Sequence, residues 1–112
     1  IDTRYVQIAE EKKSMTIEEV KSDLKQIRYY YAHEKEFEGA TRIIGGSAIL
    51  EKIEKYNTMI RSAPSQLYYT YLSLYVRFNS QTMAAEDMDC SVGHVKRLNR
   101  ELCEFFQKQT AA

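Results

Sequence analysis

Proline and glycine are scarce in this sequence, whose 112 residues include one Pro, four Gly and no Trp. Sheets need frequent tight turns, which these two residues usually supply, so their scarcity disfavours a mainly β fold. The helix formers Leu, Ile, Glu, Lys, Gln and Arg are common instead. The composition therefore predicts an all-α protein, and 44% hydrophobic residues suffice for a modest core.

Long apolar runs are missing as well. No stretch approaches the roughly 18 consecutive apolar residues of a membrane span, and the first residues lack the apolar core of a signal peptide. These absences predict a soluble, cytoplasmic protein without a membrane partner. The two cysteines, Cys90 and Cys103, are too few for a disulfide framework, and we expect two free thiols.

The chain has no net charge, because 16 Lys and Arg balance 16 Asp and Glu. A strongly basic domain is the usual electrostatic footprint of a nucleic-acid-binding protein, so this balance at first disfavours such a partner. The local distribution of charge, by contrast, favours a nucleic-acid partner. Residues 81–90 contain three carboxylates and no base, whereas the next ten contain no carboxylate and four basic or titratable groups: His94, Lys96, Arg97 and Arg100.

The first predicted helix begins at Thr16, after an N-terminal arm or cloning remnant over residues 1–15. Thr16 and Glu19 have the spacing of a capping box, in which each side chain bonds the backbone of the other. Apolar residues then recur at intervals of three and four and form a first stripe: Ile17, Val20, Leu24, Ile27 and Tyr31.

A second predicted helix follows the glycine-rich segment 39–47, where we expect a turn or hinge. Its stripe contains Ile49, Ile53, Tyr56 and Ile60, and the helix ends before Pro64. Residues 16–63 thus form either an internal helical hairpin or a coiled-coil region for dimerisation. The expected contacts of a homodimer are Ile17, Val20, Leu24 and Ile27.

Residues 64–112 have the pattern of a helix-turn-helix domain. After a helix with Leu67, Tyr71, Leu74, Tyr75 and Phe78 on one face, Asn79 and Ser80 form a break. The unit that follows needs small residues where two helices cross, a tight turn and an apolar residue inside the second helix. The chain supplies these in order: Ala84 and Ala85, a helix end at Met88, a turn at Asp89 and Cys90, a cap at Ser91, and Val95 and Leu98.

Helical spacing predicts which side of the last helix is exposed. If Val95, Leu98, Leu102 and Phe105 are buried, the opposite face carries Gly93, Lys96, Arg97 and Arg100, with His94 and Asn99 beside it. Gly93 permits the close approach of a phosphate backbone or a base edge. This pattern predicts a recognition helix over about residues 91–106, supported by the acidic helix before it.

The segment "YLSLYVRFNSQTMAAEDMDCSVGHVKRLNRELCEFF", residues 71–106, resembles the C-terminal segment of the ArpU/RinA-type phage transcriptional regulators, whose helix-turn-helix is similar to the fourth conserved region of bacterial sigma factors. The layout around "EEVKSDLKQIRYY" is also similar. The sequence departs from the family's pattern at Ala84, Asp89, Gly93 and His94.

The resemblance implies a small phage or prophage regulator that acts on duplex DNA in a bacterial cytoplasm, with RNA polymerase as a second expected partner. The DNA-facing residues it implies are Ser91, Gly93, His94, Lys96, Arg97 and Arg100.

Functions other than DNA binding are compatible with some features of the sequence. A protein-interaction module, such as an RNA-polymerase-docking factor or a phage packaging or assembly component, remains the alternative. Zinc at Cys90, His94 and Cys103 lacks a fourth ligand, so we expect no metal. The tyrosines at 29–31 and 68–69 suit core packing better than stacking on single-stranded bases. No phosphate loop or catalytic motif is present, so we expect neither a cofactor nor enzyme activity.

Overall fold

The computed structural model describes residues 14–35 and 48–111, and these are helical with no strand among them. The helices are α1 (Ile17–Ala32), α2 (Ala48–Ile60), α3 (Ser65–Tyr71), α4 (Gln81–Asp87) and α5 (Val92–Ala111), and a π-helical turn (Leu72–Val76) continues α3. The predicted all-α class is thus confirmed for this part of the chain. None of its helices is long and apolar enough to cross a membrane.

Two sequence predictions lie outside the described residues. The N-terminal arm or cloning remnant was assigned to residues 1–15, of which the structure describes only the last two. The turn or hinge predicted for the glycine-rich segment 39–47 also falls outside the described ranges.

The start of α1 follows the predicted capping box. The backbone amide of Glu19 donates to the Thr16 hydroxyl at 3.1 Å, and the Glu19 carboxylate accepts from the Thr16 backbone in return. Two otherwise unpaired amides at the helix end are thereby satisfied. From this start, helical spacing turns Val20, Leu24 and Ile27 toward the interior, where each is 0% exposed.

The main hydrophobic core contains residues from both the part of the chain before Pro64 and the part after it. It combines α1 with residues of α2 (Ile53, Tyr56, Ile60), of α3 (Leu67, Tyr71) and of α5 (Leu98, Leu102, Cys103, Phe106). The chain turns at Pro64 between α2 and α3, but the apolar core continues across this turn. The division of the chain into two regions at this point remains a prediction. Helix α1 therefore packs directly on the helix that carries the candidate site.

The centre of the core is aromatic. The Phe106 ring lies 4.8 Å from the Tyr56 ring and 5.7 Å from the Tyr71 ring, both in edge-to-face arrangements that aromatic pairs favour. Phe105 was predicted to be buried, and this was wrong, because Phe105 is only half-buried, whereas Phe106 is fully buried. Eleven residues span about three turns of α-helix, so Phe106 lies almost directly above Val95, whereas Phe105 is displaced sideways.

Polar groups at the edge of this core are paired. The Tyr56 hydroxyl donates to Oδ2 of Asp23 at 2.8 Å, and Nζ of Lys52 lies 3.0 Å from Oδ1 of the same carboxylate. The Tyr71 hydroxyl donates to Oδ1 of Asn57 at 2.9 Å. These bonds connect α1 with α2 and α2 with α3, and they fix the two core tyrosines. Among the described residues, every buried side-chain nitrogen or oxygen atom has a hydrogen-bond partner.

The connection from α3 to α4 is held by α1. In the π-helical turn the Arg77 amide bonds the Leu72 carbonyl, five residues back, at 2.8 Å. Arg28 of α1 donates from Nε to the Leu74 carbonyl at 3.2 Å and from Nη2 to the Phe78 carbonyl at 3.0 Å. One guanidinium thus satisfies carbonyls at the end of this helical segment.

Phe78 was predicted in the third helix, on one face with Leu67, Tyr71 and Leu74, and this was wrong. The π-helical turn ends at Val76, and Phe78 lies beyond it, exposed and in the left-handed region at φ 45°. The extra residue of the π turn shifts the side-chain spacing, so a pattern that assumes 3.6 residues per turn misplaces the position that follows. Leu67, Tyr71 and Leu74, which precede the end of this turn, are buried.

Candidate functional site

Helices α4 and α5 cross over a small apolar cluster. The Ser80 hydroxyl accepts from the Met83 amide at 3.1 Å and caps the start of α4. Ala84 and Ala85 are then buried with Leu74 and Val95. Because alanine methyl groups are small, the two helix backbones can approach each other closely at this point.

The turn between the two helices uses a left-handed residue. Asp89, in the predicted turn, has φ 52°, a conformation that aspartate adopts more readily than most non-glycine residues. The Cys90 amide then donates back to the Ala85 carbonyl at 2.9 Å and closes the turn. The Ser91 hydroxyl accepts from the His94 amide at 3.1 Å, so Ser91 caps α5.

The outward side of α5 is basic over its first half. Gly93, Lys96, Arg97 and Arg100, which we call the basic face, are all exposed. Ser91 is also exposed, whereas His94 is half-buried. The structure therefore brings the six residues implied as DNA contacts onto one end of α5, opposite the buried Val95 and Leu98.

The Arg97 side chain makes two weak contacts with residues of its own helix. Its Nη2 lies 2.7 Å from Nδ1 of His94, and its Nε lies 4.0 Å from a carboxylate oxygen of Glu101. Both contacts are exposed, and surface ion pairs of this kind contribute only about 0 to 1 kcal/mol. The guanidinium is thus oriented along the basic face and can be released to a partner at small cost.

Gly93 faces open space. A Cβ atom at this position would meet only the Ser91 hydroxyl, at an ordinary contact distance of 3.9 Å. The backbone here is helical and outside the left-handed region that favours glycine. The fold of the described residues thus does not require a glycine at position 93.

A groove beside the basic face includes residues that sequence reasoning missed. It has a volume of about 430 Å³ and lies between α1, the start of α4 and α5, where Lys21 and Gln81 join Lys96, Asn99, Arg100 and Glu104. We call it the basic groove. Lys21 is seventy-five residues away from Lys96 in the sequence, and no local pattern connects them. Only the packing of α1 against α5 places both at one site.

The residues proposed for dimerisation lie largely inside the chain. Val20, Leu24 and Ile27 contact the chain's own core, and Ile17 is half-buried against the same cluster. In this arrangement the first three have no surface for a second copy. Of the two arrangements left open by the sequence, packing within the chain is the one these side chains adopt here, and dimerisation through them remains a prediction.

The thiols and tyrosines outside the basic face have structural surroundings. Burial raises the pKa of the Cys103 thiol, which lies in the core. Within the described ranges, no group of three His, Cys, Asp or Glu side chains is arranged to hold a metal ion. Tyr31 packs partly against the core, whereas Tyr29, Tyr68 and Tyr69 are exposed.

Comparison with known proteins gave no match: no family model, no curated protein and no solved structure is similar to this chain at a significant level. The resemblance of residues 71–106 to phage regulators therefore rests on the residue pattern alone. What the site can do chemically follows from its own geometry. It presents hydrogen-bond donors and positive charge at the beginning of a long helix.

Proposed function

We propose that this protein binds duplex DNA sequence-specifically, with α4, the turn and α5 acting as a helix-turn-helix and the basic face entering the major groove. The biological role we propose is that of a small phage or prophage transcriptional regulator, which follows from the resemblance. One observation carries the proposal: the exposed side of the first two turns of α5 has cations and a glycine but no carboxylate.

Each part of the basic face suits a different part of duplex DNA. A helix begins with unpaired amides, and after Ser91 has bonded the His94 amide, those of Val92 and Gly93 remain for a phosphate oxygen. Arg97 lies one turn beyond Gly93 and can donate two parallel bonds to a guanine edge. Lys96 and Arg100, on the flank of the face, suit phosphates, which position the helix without specifying sequence.

Substitutions of the two arginines test the proposal. Arg97→Ala should weaken binding to a selected duplex by about 1 to 3 kcal/mol and relax the preference at one base pair. Arg100→Ala should weaken all sequences alike and lower the slope of log affinity against log salt by about one. Selection from random duplex fragments, followed by titration at several salt concentrations, measures both effects.

Lys108 provides the matched control, because it is an exposed cation of the same helix in its last turn. Lys108→Ala should leave affinity and base preference almost unchanged. If the parent binds no duplex, or if both arginine variants bind the selected site as well as the parent does, the proposal is wrong.

Gly93 allows a second test with two opposite effects. Gly93→Ala should stabilise the protein by about 0.5 to 1 kcal/mol, because alanine is the better helix former and the fold has room for its methyl group. The same methyl group should weaken DNA binding by about 1 kcal/mol, the net value of one hydrogen bond that the DNA backbone can no longer reach. Thermal unfolding and duplex titration measure the two effects, and a variant that gains stability with full DNA affinity would contradict a close approach at Gly93.

A protein-binding role is the second candidate, and the outer side of α3 favours it. Tyr68 and Tyr69 are exposed there, with their rings 5.8 Å apart in an edge-to-face arrangement. Exposed tyrosines are frequent in protein interfaces, since they bury a large area at low entropic cost. This surface suits docking to RNA polymerase, which would also supplement the weak non-specific DNA affinity expected of a chain without net charge.

A further inference from the structure

The basic groove carries an inference beyond the basic face itself. It is formed where α1 and the start of α4 meet α5 beside the candidate recognition residues. Three cations line it, namely Lys21, Lys96 and Arg100, together with one carboxylate, Glu104. None of the three cations has a hydrogen bond or an ion pair with another described residue, so their charge is available to a ligand.

The amide of Asn99 adds an oriented donor. The Tyr75 hydroxyl donates to Oδ1 of Asn99, which leaves Nδ2 as the remaining polar atom of that side chain. Burial raises the pKa of the Tyr75 phenol, so the hydroxyl stays protonated and continues to donate. Nδ2 has no hydrogen-bond partner among the described residues. Every buried side-chain nitrogen or oxygen atom of these residues does have a partner, so Nδ2 must be exposed to solvent.

The chemistry of the groove matches a phosphodiester. Lysine and arginine cations and the side-chain amides of Asn and Gln are among the donors that hold phosphate oxygens in DNA complexes. With Glu104 counted, the lining has a net charge of +2, which exceeds the single negative charge of a DNA phosphate by one. Lys96 and Arg100 belong both to the basic face and to the groove, so the two surfaces are continuous.

We propose that the basic groove holds one phosphate of the DNA backbone next to the major-groove contact, with Lys21 as the cation that α1 contributes. This inference rests on the proposed DNA binding. It extends the DNA footprint from α5 to the N-terminal helix, which helix-turn-helix reasoning from residues 64–112 does not include.

Lys21→Gln tests this directly, since it removes the charge and keeps an unbranched polar side chain that is only one bond shorter. The slope of log affinity against log salt should fall by up to about 0.9, the value of one full phosphate contact, because Lys96 and Arg100 still line the groove. The advantage of the parent over the variant should accordingly shrink by up to about 3.5-fold between 50 and 200 mM salt. The free energy of unfolding should stay the same, because Lys21 is exposed and has no ion-pair partner in the described residues.

Two further variants separate charge at the groove from charge in general. Lys21→Arg should keep the parent's slope. Lys25→Gln, one turn further along the same helix, removes an equally exposed cation that does not line the groove, and it should change the slope by less than half as much. Equal effects of Lys21→Gln and Lys25→Gln would overturn the groove as a specific site.

The remaining outcomes distinguish this inference from the function on which it rests. If Arg97→Ala loses base preference while Lys21→Gln keeps the parent's slope, DNA binding stands and the phosphate site is wrong. If the parent binds no duplex, both are wrong. Inorganic phosphate at constant ionic strength is the last arm: if it shifts the side-chain amide NMR signals of Gln81 and Asn99 while duplex DNA leaves them unchanged, the groove binds free phosphate and the proposal is overturned.

Discussion

Leu24→Asp is expected to unfold the protein rather than to separate a dimer. Leu24 is 0% exposed and lies in the core formed with α2, α3 and α5. Loss of its side chain alone should cost about 2 to 5 kcal/mol. An unpaired carboxylate at a buried site adds several kcal/mol, and domains of this size are stable by only about 5 to 15 kcal/mol in total. Circular dichroism and urea unfolding measure the result.

Lys25→Asp introduces the same side chain at the neighbouring, exposed position of α1 and should cost less than about 1 kcal/mol. Sedimentation of the Leu24 variant addresses the dimer hypothesis. A well-folded monomeric variant from a dimeric parent would mean that the first stripe pairs with a second copy in solution, and the packing within one chain would then be wrong.

Phe106→Ala should destabilise the protein by about 3 to 5 kcal/mol, the usual cost of removing a buried aromatic ring. The ring is fully buried and has edge-to-face contacts with Tyr56 and Tyr71. Its loss would leave a cavity at the point where α2, α3 and α5 meet, and the two tyrosines are held by hydrogen bonds to Asp23 and Asn57 that hinder their collapse into it.

Phe105→Ala is the matched control, since it makes the same change one residue earlier. Phe105 is half-buried, so its removal should cost clearly less than that of Phe106. Denaturant titration of the two variants side by side gives the comparison. The reverse order of stability would show that α5 is rotated relative to the arrangement described above.

Local features of the fold were predictable because their chemistry is contained within a few residues. The capping box of Thr16 and Glu19 and the cap at Ser91 depend on side chains that bond the backbone three residues away. The turn at Asp89 depends on a residue type that tolerates the left-handed backbone conformation. The buried positions of α1 and α2 also follow from spacing, since a regular helix repeats every 3.6 residues.

Two positions were predicted wrongly. Phe105 and Phe106 both lie within four residues of Leu102, and only the spacing back to Val95, three turns before Phe106, separates them. The ring of Phe106 is the one that faces Tyr56 and Tyr71 across the core. Phe78 was misplaced because nothing in "LSLYV" marks a π-helical turn. The π-helical turn is stabilised by Arg28, about fifty residues earlier in the chain, so its presence depends on a tertiary contact and not on the local sequence.

The candidate site was predictable only on its α5 side. Gly93, Lys96, Arg97 and Arg100 follow from one helix and its buried stripe, which the sequence contains in full. The contribution of Lys21 and the orientation of Asn99 by Tyr75 depend on how separate helices pack, and periodicity within one helix carries no information about that.

The π-helical turn makes the chain length between α3 and α4 a constraint in its own right. Each residue of a helix advances the chain by about 1.5 Å and rotates it by about 100°. Deletion of one residue from 72–76 would let α3 continue as a regular helix, but it would carry the Phe78 carbonyl away from the Arg28 guanidinium that bonds it. Single-residue insertions and deletions in this segment should thus destabilise the protein more than substitutions of exposed side chains do. The Arg28 guanidinium can bond the Leu74 and Phe78 carbonyls only when the segment that leads into α4 has its present length.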